Sequence, residues 1–216
     1  MRPFVFITET NDVTVQFFTR MAPQVGGEMG AAMATFAKNP RDEHAIAALS
    51  ADPLYNSIIH TTCIPTMLSG GHATNAQPQR ADANANCRIF PGTTAEQVRD
   101  KLTALVADPE IKVTIVGKRS EVVKEPPQLT PQIMKPVETV AAKIWPGSPI
   151  VPMMTASATD GAFLTPAGIS TYGLSGMFVD PDGNGVHGLN ERIRVSSVYK
   201  GRDFLYEVVK AYANQE

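Results

Sequence analysis

Apolar and polar positions alternate with two periods along the chain, and their order predicts the elements. Pro3 to Thr8 is apolar and partly β-branched, which predicts a strand. Phe17, Phe18, Met21, Met29, Met33 and Phe36 follow between residues 13 and 37, and the spacing of the last three predicts a helix with its stripe in a core. Asn39-Pro40 ends that helix, and residues 44–50 form a short second one. Residues 61–68 read as a strand, kept to an edge by Pro65. Ser69-Gly70-Gly71 turns the chain. Residues 80–90 then alternate, with Asp82, Asn84, Asn86 and Arg88 on one face and Ala83, Ala85, Cys87 and Ile89 on the other. If the two strands pair about Asn75, Cys63 and Cys87 stand opposite each other, each twelve residues from that centre. Whether they bond is left open. Thr94 with Gln97 has the capping-box spacing, ahead of a stripe of Val98, Leu102, Leu105 and Val106. Residues 111–116 alternate again as a strand. The order resembles a ferredoxin-like unit short of its first strand and helix.

A break follows. Residues 121–131 read EVVKEPPQLTP, with three prolines in eleven residues, and form an extended connector. Residues 1–120 are therefore expected to be one unit and residues 121–216 a second. In the second, Thr130-Pro131 opens a helix whose stripe is Val137, Val140, Ala141 and Ile144, with regular geometry expected from near Pro136. Residues 150–155 and 169–174 read as short strands, residues 160–167 as a helical turn or two, and residues 197–214 as a closing helix burying Phe204, Leu205, Val208 and Tyr212. This alternation predicts a parallel sheet packed by helices.

Composition narrows the function. Apolar residues make up 43% of 216, enough for a packed core. Lys and Arg number 19 against 21 Asp and Glu, so the basic excess expected of a nucleic-acid binder is missing. No apolar run approaches the ~20 residues that span a membrane, and Phe4 to Ile7 is too short for a signal-peptide core. Two cysteines make neither a zinc knot nor a disulfide scaffold.

Four histidines are candidates for chemistry. His44 sits on a polar helix start and reads as surface; His60 precedes a strand with no acidic neighbour and reads as structural or surface; His72 follows a Gly-Gly turn in a loop. His187 differs, because it lies in the glycine-rich stretch GNGVHGLNERI with Asn190 and Glu191 close behind. No nucleophile elbow, P-loop, dinucleotide fingerprint, HExxH, CxxC or HxD motif is present. The residues alone give two small α/β units and a histidine loop, and no reaction.

The stretches GGHATNAQPQRADANANCRIFPGTTAEQV, MMTASATDGAFL and ISTYGLSGMFVDPDGNGVHGLNERI carry more. In order and spacing they resemble the co-catalytic zinc peptidases and amidohydrolases of clan MH, which include glutamate carboxypeptidase, aminoacylase and succinyl-diaminopimelate desuccinylase. The resemblance implies an α/β fold: a partial ferredoxin-like α+β lid at 1–120, then the C-terminal part of an α/β zinc-peptidase catalytic domain. The family's HxD motif, bridging Asp and Glu-Glu pair have no counterpart here. The expectation is therefore the C-terminal portion of a larger enzyme or the product of a truncated gene.

By that resemblance His187, in VHGLNE, matches a metal ligand, and Glu191 is either support for its loop or a helix-start charge. Asn75, in TNAQP, matches a lid asparagine that reaches substrate, often across a dimer. Arg88, in NCRIFPG, matches an arginine that holds the substrate carboxylate, a role suited to a planar bidentate donor. Asp160, in TDG, matches a substrate-proximal loop or caps the next helix. Ala162 stands where many relatives have arginine, which removes an argument for one substrate charge. His72 does not match the family's carbonyl-polarising lid histidine. The implied reaction is hydrolysis of a peptide or N-acyl amide beside a free carboxylate, with zinc in the parent enzyme and none expected in this chain. The rival reading is a non-catalytic dimerisation or ligand-binding module. Expected partners are a second copy, met through residues 1–120, and a peptide or N-acyl amino acid; neither nucleic acid nor membrane is expected.

Overall fold

A computed structural model describes residues 6–117 and 125–215. The start of the Pro3–Thr8 strand and much of the proline-rich connector lie outside the described residues. The chain divides into two compact units, Met1–Pro126 with Val151–Ile169, and Pro127–Ile150 with Ser170–Glu216.

The first unit is built on four helices. Asn11 opens α1 (Asp12–Val25): its side chain accepts from Val13 and Thr14 backbone N–H groups at 3.0 and 3.1 Å, and Thr14 Oγ1 accepts from the Asn11 N–H at 3.0 Å. The helix expected from the spacing of Met29, Met33 and Phe36 is α2 (Gly27–Lys38), separate from α1. Gly26 and Gly27 take φ of 64° and 58°, which breaks the ladder and folds α2 back on α1. The helices meet closely at Gly30, where a Cβ would fall 2.5 Å from the Ala22 carbonyl oxygen. Asp42 caps α3 (Glu43–Ser50), and Asp52 with Pro53 at the first turn starts α4 (Pro53–Ile59). Phe17, Phe18, Met33, Phe36, Leu49, Ile58 and Ile59 form the core between them.

A two-stranded antiparallel ribbon follows, β1 (Thr62–Gly70) with β2 (Ala81–Arg88). Its register is centred on Asn75 from Thr62↔Arg88 to Pro65↔Ala85, and an irregularity between Pro65 and Met67 shifts the rest by one. Cys63 and Cys87 are paired and joined in a disulfide, with Cα atoms 4.1 Å apart. The alternation of β2 does not bury a face: Ala83 and Ala85 are exposed like Asp82 and Asn86, because no layer of described residues covers the ribbon. Thr94 and Gln97 form the expected capping box of α5 (Ala95–Val106), whose stripe buries only Val98. Residues 111–116 have a strand's alternation but no pairing strand among the described residues, so they stay irregular, with Val116 exposed.

In the second unit, α6 (Pro131–Ile144) packs on α8 (Val195–Ala213) through Val137, Val140, Ala141, Phe204 and Val208. The helix begins at Pro131 and tolerates Pro136. Gln215 Nε2 donates to the Gln132 carbonyl at 3.0 Å, filling the bond that Pro136 cannot make, and the Tyr212 hydroxyl donates to the next carbonyl, that of Ile133. The expected parallel sheet is not formed: β1 and β2 are the only strands among the described residues, and 150–155 and 169–174 remain irregular. Residues 160–167 give one short helix, α7 (Gly161–Leu164), in the first unit. The chain is thus mixed α/β, with a small antiparallel ribbon. No helix among the described residues is long and apolar enough to cross a membrane.

Candidate functional site

The ribbon carries two of the expected ligand-binding residues, one at each end. Asn75 lies in the turn at its tip and Arg88 closes β2 at its root. A strand advances ~3.3 Å per residue, so roughly 25 Å separates them. They cannot grip one end of a small ligand within a chain. The two arginines flanking β2 differ. Arg80 is held by Asp82, with Nε at 2.9 and 3.0 Å from the two carboxylate oxygens. Arg88 is exposed and has no ion-pair partner among the described residues, so its guanidinium fork is open to an anion.

The root of the ribbon is fixed to the helical body by a network absent from the sequence reading. Thr61 Oγ1 accepts from the Phe90 N–H at 3.0 Å and donates to Glu9 at 3.2 Å, and Thr93 donates to the other Glu9 oxygen. Beside it lies His60, 4% exposed. Asn56 Oδ1 accepts from its Nδ1 at 2.9 Å, which makes Nε2 the acceptor from the Thr8 hydroxyl at 3.0 Å in the neutral ring. Burial pushes the His60 pKa below the usual histidine range, against the opposing pull of the Asn56 hydrogen bond and the Glu9 charge. The acidic neighbour missing from the local sequence is supplied from the far end of the unit.

Asp160 precedes α7 and its backbone oxygen accepts from Phe163 and Leu164 at 3.0 and 3.2 Å. Its carboxylate makes no capping bond and is exposed.

In the second unit, residues 180–194 form a loop that organises itself. Asn184 is 2% exposed and sits at φ 59°, a conformation asparagine tolerates. Its Nδ2 donates to the Arg192 carbonyl at 2.8 Å, its carbonyl accepts from the Arg192 N–H at 3.0 Å, and its own N–H donates to Asp182 at 3.0 Å. Asp180–Arg194 and Asp182–Arg192 ion pairs close the base. The Asn184 N–H and the neighbouring Arg192 cation hold the Asp182 carboxyl below its usual range. The scaffold sets out His187, exposed and at φ 62°, with Glu191 four residues on and no hydrogen bond between them. Alternating Asp, Gly and Asn in DPDGNG was the sequence signal for this loop. A groove of about 390 Å³ beside it is lined by Trp145, Phe178, Asp180, Arg194 and Lys200, and holds none of the expected residues.

A catalytic zinc takes three protein ligands. No three His, Cys, Asp or Glu side chains come together for a metal among the described residues, and His187 offers one ligand. These described residues do not themselves make up a zinc site.

Comparison with known proteins fits this geometry. Residues 27–114, from α2 to beyond α5, match the family described as Peptidase dimerisation domain. The human N-fatty-acyl-amino acid synthase/hydrolase PM20D1 is 27% identical over 163 residues, 74% of this chain and 32% of the relative. The mouse protein of that name is 25% identical over 161 residues, with the same shares of each chain. A probable carboxypeptidase S-like 2 of Dictyostelium discoideum is 22% identical over 165 residues, 75% of this chain and 31% of the relative. The chain spans about a third of the length of the curated relatives it matches. No solved structure matches. The clan MH resemblance is borne out at this level: residues 27–114 match a peptidase dimerisation domain, and the chain is similar to an N-fatty-acyl-amino acid synthase/hydrolase and to a probable carboxypeptidase.

Proposed function

From that kinship we propose that the chain is part of a metal-dependent peptidase or amidohydrolase acting on peptide or N-acyl amide bonds beside a free carboxylate. Residues 1–120 pair two copies and present the carboxylate receptor; residues 121–216 belong to the catalytic domain. The observation that carries the reading is Arg88: an exposed, unpaired guanidinium on a ribbon inside the matched segment. Its fork suits the carboxylate of an N-acyl amino acid or a peptide C-terminus. Asn75, at the other end of the ribbon, serves a ligand held by the second copy, which the ~25 Å span requires. Asp160 borders the ligand. His187 supplies one zinc ligand, with Glu191 supporting its loop, in an enzyme whose other ligands come from elsewhere.

A second reading is a non-catalytic dimerisation or ligand-binding module. It is favoured by the fact that no three His, Cys, Asp or Glu side chains gather to hold a metal among the described residues.

The experiment is a calorimetric titration with N-dodecanoylglycine and with its carboxamide, run beside light scattering over a range of protein concentrations. The expected result is a dimer that binds the acid at least ~10-fold more tightly than the amide, the worth of a charge-assisted hydrogen bond, with the preference lost in Arg88→Ala. Equal binding of acid and amide overturns the receptor role, and a strictly monomeric mass overturns the pairing role. Slow hydrolysis after zinc loading would exclude the non-catalytic reading.

A further inference from the structure

We propose that the Cys63–Cys87 disulfide is a thiol-controlled clamp on the ribbon that carries Asn75 and Arg88. Oxidised, it keeps Arg88 in register; reduced, it lets the ribbon fray from its root.

Among the described residues the ribbon has little other support. A two-stranded hairpin is marginal in water on its own. Here Met67 and Leu68 are 69% and 81% exposed, and Ala81, Ala83 and Ala85 are exposed on the face that carries the disulfide. The bond joins residues separated by 24 positions, enclosing nearly the whole ribbon and its tip in one loop. Such a cross-link acts chiefly on the freedom of the open chain. It lies one rung from the Thr62↔Arg88 pair, so Arg88 follows directly on a covalently fixed residue. The anchor at Thr61 and Phe90 lies outside the closed loop and holds only its ends. Neither cysteine belongs to the core of the four helices, which has its own buried aromatic centre. Reduction is therefore a local event. Both cysteines are only half-buried and are flanked by exposed Ile64, Asn86 and Arg88, so a reductant can reach them.

The chemistry balances with a dithiol as co-reactant. One thiolate of the dithiol attacks Cys63 or Cys87 sulfur, the S–S bond breaks, and a mixed disulfide forms. The dithiol's second thiolate attacks the reductant's own sulfur in that mixed disulfide, the mixed S–S bond breaks, the second cysteine leaves as thiolate, and the reductant departs with an internal disulfide. Two electrons and two protons end on Cys63 and Cys87.

The consequence for a ligand rests on the proposed carboxylate-binding role of Arg88; the clamp does not. The test compares the whole chain oxidised, reduced with dithiothreitol and reoxidised, with free thiols counted in each state. Amide exchange in 62–70 and 81–88 is expected to speed by roughly 10- to 100-fold on reduction, to recover on reoxidation, and to stay unchanged in residues 12–59. The Cys63→Ser/Cys87→Ser double variant should exchange like the reduced chain without any reductant. Ribbon exchange that ignores the thiol state overturns the clamp. So does loss of the helical spectrum on reduction or in the variant, because the bond would then support the whole unit. N-dodecanoylglycine binding separates the two readings. If the ribbon loosens and the oxidised chain does not bind the probe, the receptor role of Arg88 fails and the clamp stands. If the probe binds both thiol states equally, control of ligand binding by the clamp is overturned.

Discussion

The four helices of residues 12–59 and the ribbon of residues 62–88 are consecutive in sequence and are held in opposite ways. The helices converge on side chains with almost no exposure: Phe18, Met33, Phe36, Leu49 and Ile59 are all at 0%. The rings of Phe17 and Phe36 each lie 5.1 Å from that of Phe18 and edge-on to it. The ribbon buries almost nothing and depends on one disulfide, its backbone ladder and a polar anchor at Thr61. Stability and recognition are thereby separated. The residues that hold the unit together do not point outward, and Asn75 and Arg88 sit where changes cost the fold little.

The largest effect that can break this comparison is expected in the helices. Phe18→Ala empties a fully buried site among three aromatic neighbours, Phe17, Phe36 and Tyr55, and should destabilise the first unit by about 3–5 kcal/mol. That is a large share of a domain's usual 5–15 kcal/mol. Urea unfolding followed by helical signal measures it. A loss below ~1 kcal/mol would mean that the aromatic cluster is not the centre of the unit.

A smaller effect lies at the junction between the two regions, at His60. Burial depresses its folded pKa below the unfolded value. The unfolded state then binds more protons between the two values, so stability is present above the unfolded pKa near 6.5 and is lost as pH falls below it. The contribution is limited to about 1.4 kcal/mol per pH unit, the effect of one proton. Wild type should lose stability between neutrality and mildly acidic pH more steeply than His60→Gln, so that the gap between them narrows as pH falls. Parallel pH profiles in the two proteins would show that His60 protonates equally in both states.

The same contrast explains how much was legible in the sequence. Local chemistry was readable. Thr94 and Gln97 cap α5 as their spacing requires, and the hairpin centre at Asn75 placed Cys63 opposite Cys87. The stripe of α8 was readable too, because Phe204 and Val208 recur at helical spacing. What failed needed a partner distant in the chain. Residues 111–116 alternate like a strand, but alternation names a face and not the strand beside it, so they stay unpaired. Pro136 looked like a late helix start because the donor for Gln132, Gln215, is 83 residues away. His60 looked unpartnered because Thr8 and Glu9 come from 52 and 51 positions upstream. For the site, the His187 loop was visible in its Gly, Asn and Asp residues. Arg88 was visible too: the alternation of β2 set it on the outward polar face, and it is exposed.

The smallest expected effect is the sharpest test of the separation. Leu68 is the largest apolar side chain on the disulfide face of the ribbon, opposite Ala83, and is 81% exposed. Replacing it with serine removes a side chain that folding does not take out of water, so the hydrophobic term is nearly the same in the folded and unfolded states. Leu68→Ser should change unfolding free energy by no more than about 0.5 kcal/mol, as surface substitutions usually do. The measurement belongs at a protein concentration where the chain is monomeric. At higher concentration a second copy seated on this face would stabilise wild type alone, since anything that binds only the folded state adds to its stability. A gap between wild type and variant that opens with concentration would assign Leu68 to the pairing surface, whereas a gap already present in the monomer would show that the ribbon packs against its own chain and that the two regions are not held independently.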